Sequence, residues 1–122
     1  MLRNGGGAIV NNSSIAGVIG FPAAAIYVAS KHAVLGLTRS TALEYAARNI
    51  RINAVCPAVI ETAMADHLFG AEEVQTAVRA MHPIGRFGRP EEVAAAVLWL
   101  CSDSASFVVG HPLMIDGGFT AR

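Results

Sequence analysis

The stretch 25–48 contains no proline and is built largely from Ala, Leu, Lys, Arg and other residues that tolerate a helix. This composition predicts a long helix. It lies between two short apolar runs that read as strands. One is 8–12 (Ala8, Ile9, Val10, Asn11, Asn12); the other is 50–56, from Ile50 to Cys56, ended by Pro57. Antiparallel neighbours need only a tight turn between them, whereas parallel neighbours need a long crossover. The helix therefore predicts two parallel strands with a right-handed connection.

The rest of the chain extends this alternation. Residues 13–22 are rich in Ser, Gly and Pro and read as a loop. The segment 62–82 predicts two short helices, 62–69 and 71–81, broken at Gly70. Pro83, Gly85 and Gly88 mark a loop over 83–89. Pro90 then sits where a helix accepts proline, in its first turn, and Glu91 and Glu92 suit the positive end of the dipole. That helix runs to Ser102, and a last strand spans 112–115 before Asp116-Gly117-Gly118. The fold class is α/β with a parallel sheet, and 1–122 reads as a single domain.

Composition narrows the function classes. Nine basic and nine acidic residues leave a net charge of zero, so there is no electrostatic footprint for nucleic acid or an anionic membrane. No apolar run is long enough for a transmembrane helix. Cys56 and Cys101 form no C-x-x-C pair and read as reduced, buried thiols in a cytosolic protein. His32, His67, His82 and His111 lack ligand spacing, so no metal site is expected. Charged residues are only 15% of the chain and hydrophobic ones 53%. A small domain should be more polar than that, so some apolar surface is expected to be covered by something outside the chain. Ala29, Ala33, Gly36 and Ser40 recur on one face of the long helix, a face that permits close approach of another backbone.

The chemistry-bearing pattern is Ser13-Ser14, then Gly17 and Gly20, then Tyr27-x-x-x-Lys31. Tyr27 and Lys31 lie one turn apart on one helix face. An ammonium beside a phenol favours the phenolate and brings an otherwise weak acid, near pKa ~10, toward working pH. Tyr27 is thus a candidate acid/base for an alcohol or carbonyl oxygen. Ser14, on the loop leaving the first strand, is a candidate donor to the same oxygen. The spacing alone is common by chance, and taken alone it suits a core-edge tyrosine and a solvated lysine. Asn53 is read as satisfying backbone groups, and Asp116-Gly117-Gly118 as a structural turn. Met64, Leu68, Phe69 and Met81 suit a substrate lid and simple helix packing equally.

Two longer segments add context. The segment GGAIVNNSSIAGVIGFPAAAIYVASKHAVLGLTRSTALEYAARNIRINAVCPAVIETAM resembles the short-chain dehydrogenase/reductase family, and so does PIGRFGRPEEVAAAVLWLCSDSASFVVGHPLMIDGGF. The resemblance runs from Gly5 to Phe119. It implies the C-terminal half of a Rossmann-like, doubly wound parallel sheet, with the N-terminal cofactor-binding strands missing. It implies a catalytic set of Ser14, Tyr27 and Lys31, with NAD or NADP as cofactor and a small alcohol or carbonyl as substrate. Tyr27 and Lys31 would also meet the nicotinamide ribose. Pro57, Ala58, Val59, Ile60 and Thr62 would lie along the nicotinamide. A homodimer or homotetramer is expected of the full-length parent, in the cytoplasm.

The sequence departs from that family in two ways. Gly5-Gly6-Gly7 precedes a strand instead of following one, so it is not the family's phosphate loop. A truncated gene product or partial reading frame is the expectation, with little activity of its own. Ala58 stands where the family has glycine after Pro57. The alternative expectation is a non-catalytic oligomerisation module derived from the same family.

Overall fold

The computed structural model describes residues 1–121. Strand β1 (Gly7–Asn12) leads through a loop to helix α1 (Ala25–Tyr45), then β2 (Ile50–Pro57), α2 (Ala63–Phe69), α3 (Glu72–Ala80), α4 (Pro90–Cys101) and β3 (Pro112–Ile115). Among the described residues the three strands form one sheet in the order β1-β2-β3, all parallel. The register pairs Gly7 with Ile50 through Asn12 with Val55, and Ala54 with Pro112 through Pro57 with Ile115. The long helix ends three residues before the expected limit. Residues Ala46–Arg48 tighten into a 3-10 turn, closed by Asn49 in the left-handed region, a conformation asparagine tolerates.

β2 is central and almost wholly buried, as befits a parallel strand covered on both faces. Its alternation assigns each face a helix. Leu35 of α1 packs with Ala54 and Cys56, and Ala42 packs with Ile50 and Ile52. On the other face Val55 packs with Leu100 of α4 and with Ala105. The sheet is therefore layered between helices, the doubly wound arrangement expected.

The same outer face of β2 presents two polar residues, both used structurally. Arg51 donates to the carbonyls of Leu100 and Ser102, at 2.7 and 3.0 Å, neutralising the C-terminal end of α4. Asn53 is 1% exposed; its amide donates to the Val108 carbonyl and its oxygen accepts from the His111 amide. The backbone-satisfying role expected of Asn53 holds.

Two expectations need correction or refinement. Cys56 is buried, but Cys101 is exposed, because it falls on the outward side of the last turn of α4. The small-residue face of α1 points away from the sheet, with Ala29, Ala33, Gly36 and Ser40 all exposed. A Cβ at Gly36 would meet nothing within 4 Å, so no contact inside the described residues accounts for this glycine. Ile26 and Leu43 of the same helix are 90% and 82% exposed, and Phe107 is fully so. The surplus of apolar residues thus sits partly on the surface. No helix among the described residues is long and apolar enough to cross a membrane.

Candidate active site

The carboxyl ends of β1 and β2 lie side by side, Asn12 opposite Val55, with Pro57 two residues further on. In parallel α/β sheets this edge is where ligand crevices form. Immediately after Asn12 the chain makes a short 3-10 turn (Ile15–Gly17), buried against α1 and β2. Two consecutive serines divide the work here. Ser13 is buried and donates to the Lys31 carbonyl at 3.0 Å, fixing the loop to α1. Ser14 caps the turn by accepting from the Ala16 amide at 3.1 Å, and its hydroxyl reaches the Pro57 carbonyl at 3.5 Å.

Gly17 makes this close approach possible. A Cβ there would lie 2.7 Å from Ser13 Oγ, 2.9 Å from Leu35 and 3.0 Å from the Lys31 carbonyl. Gly20, by contrast, has open space around it.

Tyr27 occupies the first turn of α1 and is half-exposed, so its ring is accessible. The Lys31 ammonium lies 5.5 Å from the centre of that ring and donates to the Asn12 carbonyl at 3.4 Å. Lys31 thus bridges the end of β1 and the face of Tyr27, while its own carbonyl holds Ser13. Strand end, serine loop and helix start form one hydrogen-bonded unit. Cys56 sits beneath it, fully buried. Burial pushes its thiol upward, against hydrogen bonds from Ser14 and Ser13 and the nearby Arg39 charge, which pull the other way.

The segment after β2 follows Pro57, whose carbonyl the Ser14 hydroxyl reaches. The Ala58 amide donates to the Ile115 carbonyl at 3.1 Å, tying this segment to the end of β3. Among the described residues Ala23 and Asn49 are the non-glycine residues with positive φ. Ala58 therefore needs no glycine-type conformation, and its Cβ introduces no backbone strain. Ile60 forms an isolated parallel bridge with Gly88. Thr62 caps α2, its hydroxyl accepting from the Ala65 amide at 3.4 Å and donating to the Ile60 carbonyl at 3.3 Å.

Sequence reasoning gave Ser13 no role of its own and Gly88 only that of a loop residue, and it missed the Arg86–Glu92 pair. Arg86 meets Glu92 through both carboxylate oxygens, at 2.9 and 2.6 Å. Of the four apolar residues between two readings, Phe69 packs against Phe87 at 6.4 Å between ring centres, whereas Met64, Leu68 and Met81 are exposed. Asp116 is the structural turn expected of it. It accepts from the Gly118 amide and from the amide and hydroxyl of Thr120. Burial opposes ionisation there, but these hydrogen bonds outweigh it and hold the carboxyl below its ordinary range.

Comparison with known proteins agrees with the fold. The profile of the family described as enoyl-(acyl carrier protein) reductase matches residues 1–120. A cyclohexanol dehydrogenase from Acinetobacter sp. (strain SE19) is 51% identical over 122 residues, covering 100% of this chain and 47% of that protein. A solved structure from Beutenbergia cavernae, provisionally assigned as an NAD(P)-dependent gluconate 5-dehydrogenase, holds NADP at low occupancy. It superimposes with a TM-score of 0.96 at 40% identity, covering 100% of this chain and 49% of its own. A 4-hydroxyisoleucine dehydrogenase complexed with NADH gives 0.90 at 36% identity, over 94% of this chain and 47% of its own. The chain spans about half the length of the curated relatives it matches. With nearly every residue inside the matched profile and a dehydrogenase relative identical at half the positions, the chain belongs to the short-chain dehydrogenase/reductase family.

Proposed function

We propose that this chain carries the acid/base side of an NAD(P)-dependent oxidoreductase that interconverts an alcohol and a carbonyl. In the reducing direction the Tyr27 hydroxyl gives its proton to the substrate oxygen, and in the oxidising direction it takes that proton back. The Lys31 ammonium stabilises charge left on the phenol oxygen and holds ribose hydroxyls. Ser14 hydrogen-bonds the substrate oxygen as its charge develops. The segment containing Pro57, Ala58, Val59, Ile60 and Thr62 lines the nicotinamide. The bound nicotinamide supplies or accepts the hydride, and the protein aligns the two partners.

One observation carries this reading. The Lys31 amine, 5.5 Å over the Tyr27 ring, is anchored to the Asn12 carbonyl at the carboxyl end of β1, beside the Ser14 loop. An exposed phenol, an ammonium and a hydroxyl near the carboxyl ends of parallel strands suit a nicotinamide riboside and a carbonyl oxygen. Relatives solved with NADP and with NADH support either nucleotide as cofactor. The free, buried Cys56 suits a cytosolic setting.

The 122 residues contain no G-x-G-x-x-G turn of the dinucleotide-binding kind, so the isolated chain is expected to turn over substrate negligibly. Substantial turnover by the pure chain contradicts this. A chimera tests the catalytic assignment. When the chain is fused to the half of the Acinetobacter enzyme left uncovered by the match, it should oxidise cyclohexanol. Tyr27→Phe in that chimera should lower kcat by about 10²–10⁴, the usual worth of a positioned acid/base, with nicotinamide affinity little changed. An unchanged kcat removes Tyr27 from the chemistry.

A second reading, a non-catalytic assembly module, is favoured by the exposed small-residue face of α1 together with Ile26 and Leu43. A stable oligomer that shows no nicotinamide response would favour it.

A further inference from the structure

The nicotinamide-lining segment is not held by β2 alone. Beyond Ala58 it leaves the sheet, and its next backbone partners all belong to Gly88. The Gly88 amide donates to the Val59 carbonyl at 2.9 Å, and the Glu61 amide donates to the Gly88 carbonyl at 2.8 Å. A Cβ on Gly88 would stand 2.6 Å from Ile60 Cδ1, the movable end of that side chain, and 3.7 Å from the Val59 carbonyl. Gly88 is itself in a loop, and a loop residue can hold another segment only if something holds the loop.

Glu92 supplies that hold from the first turn of α4. Its carboxylate takes two hydrogen bonds from Arg86 and one from the Arg89 amide at 2.7 Å, with the Arg89 guanidinium 3.6 Å away. Arg86 also donates to the Phe87 carbonyl at 3.0 Å. Residues 86 to 89 are thereby pinned on both sides of Gly88. An isolated ion pair at this exposure contributes little, but bidentate arginine–carboxylate geometry is the exception. The adjacent Phe87 is buried and receives Phe69 of α2, His82 and the Arg79 guanidinium of α3. One clamped loop therefore supports both the segment Val59–Glu61 and the helices that follow it.

We propose that Arg86 and Glu92 are positioning residues, which hold Gly88 against Val59–Glu61 and so fix the backbone along the nicotinamide. The clamp itself is independent of the nicotinamide; its functional meaning rests on the reading given under Proposed function.

The test uses the full chain and two conservative variants, Arg86→Lys and Glu92→Gln. Lysine keeps the charge but cannot span both carboxylate oxygens. Amide exchange at Glu61 and Gly88 should quicken about tenfold in either variant, while amides of β2 stay within about twofold, as expected of local opening. Affinity for reduced nicotinamide mononucleotide, read by its fluorescence, should fall alongside. Unchanged exchange at Glu61 and Gly88 overturns the clamp, as does an equal rise throughout β2, which marks general destabilisation. Quickened local exchange with unaltered nucleotide affinity overturns the positioning role. If the unmodified chain shows no nucleotide binding while the exchange result holds, the clamp stands and the nicotinamide reading is the one that fails.

Discussion

Gly17 has no room for a methyl group. Its neighbours in space are Ser13 Oγ, Leu35 and the Lys31 carbonyl, all within 3.0 Å of where a Cβ would stand. Gly17→Ala should therefore cost about 1–3 kcal/mol through overpacking, measurable by urea denaturation. The same change should loosen the Ser13–Lys31 hydrogen bond and with it the placement of Ser14. Asn53→Ala leaves the Val108 carbonyl and the His111 amide without their side-chain partner. A loss of about 1–3 kcal/mol is expected, the usual cost of stranding buried polar groups. A loss near zero in either variant contradicts the corresponding contact. At this scale the spacing made Ser14, Tyr27 and Lys31 candidates only, the family resemblance singled them out, and neither gave the division of labour between Ser13 and Ser14. Adjacent residues leaving a strand point in different directions, and which of them turns inward depends on the turn that follows.

Elements were legible where periodicity or punctuation marked them. β2 reads as a strand because buried parallel strands are continuously apolar, and α4 begins at Pro90 because proline suits a first helical turn. The outward placement of Cys101 was not legible, since α4 is apolar on more than one side and its sequence does not say which side meets the sheet. Nor was the Arg86–Glu92 pair, which depends on a turn through Gly85 and Gly88 and not on a helical repeat. That pair makes a pH prediction. Hydrogen bonds from Arg86 first, then from the Arg89 amide, lower the Glu92 carboxyl from 4.5 to about 2. A carboxyl depressed on folding contributes stability that is complete above its unfolded value and lost as pH falls through its folded value. The melting midpoint should therefore decline between pH ~4.5 and ~2, and Glu92→Gln should shallow that decline. An identical acid limb in both proteins contradicts the assignment.

The whole molecule is a sheet with two open sides. Among the described residues β1 and β3 are edges, and β2 has neighbours on both sides. Exposed strand edges and apolar residues such as Ile26, Leu43 and Phe107 favour association. The isolated chain should be marginally stable as a monomer, with a melting midpoint that rises with protein concentration. A cooperative, high-temperature melt independent of concentration contradicts this. Composition indicated the apolar surplus, but no sequence pattern said which face would carry it. What joins the scales is one proposed meeting: the phenol of Tyr27 and the hydroxyl of Ser14 on a single substrate oxygen, beside a Lys31 amine anchored to the Asn12 carbonyl where β1 ends. The most direct test is to titrate the labelled chain with reduced nicotinamide mononucleotide and map the backbone amide shifts. Changes gathered at residues 12–15, 27–31 and 58–62 are expected; changes confined to the Met1–Ile9 side of the sheet, or none, contradict the account.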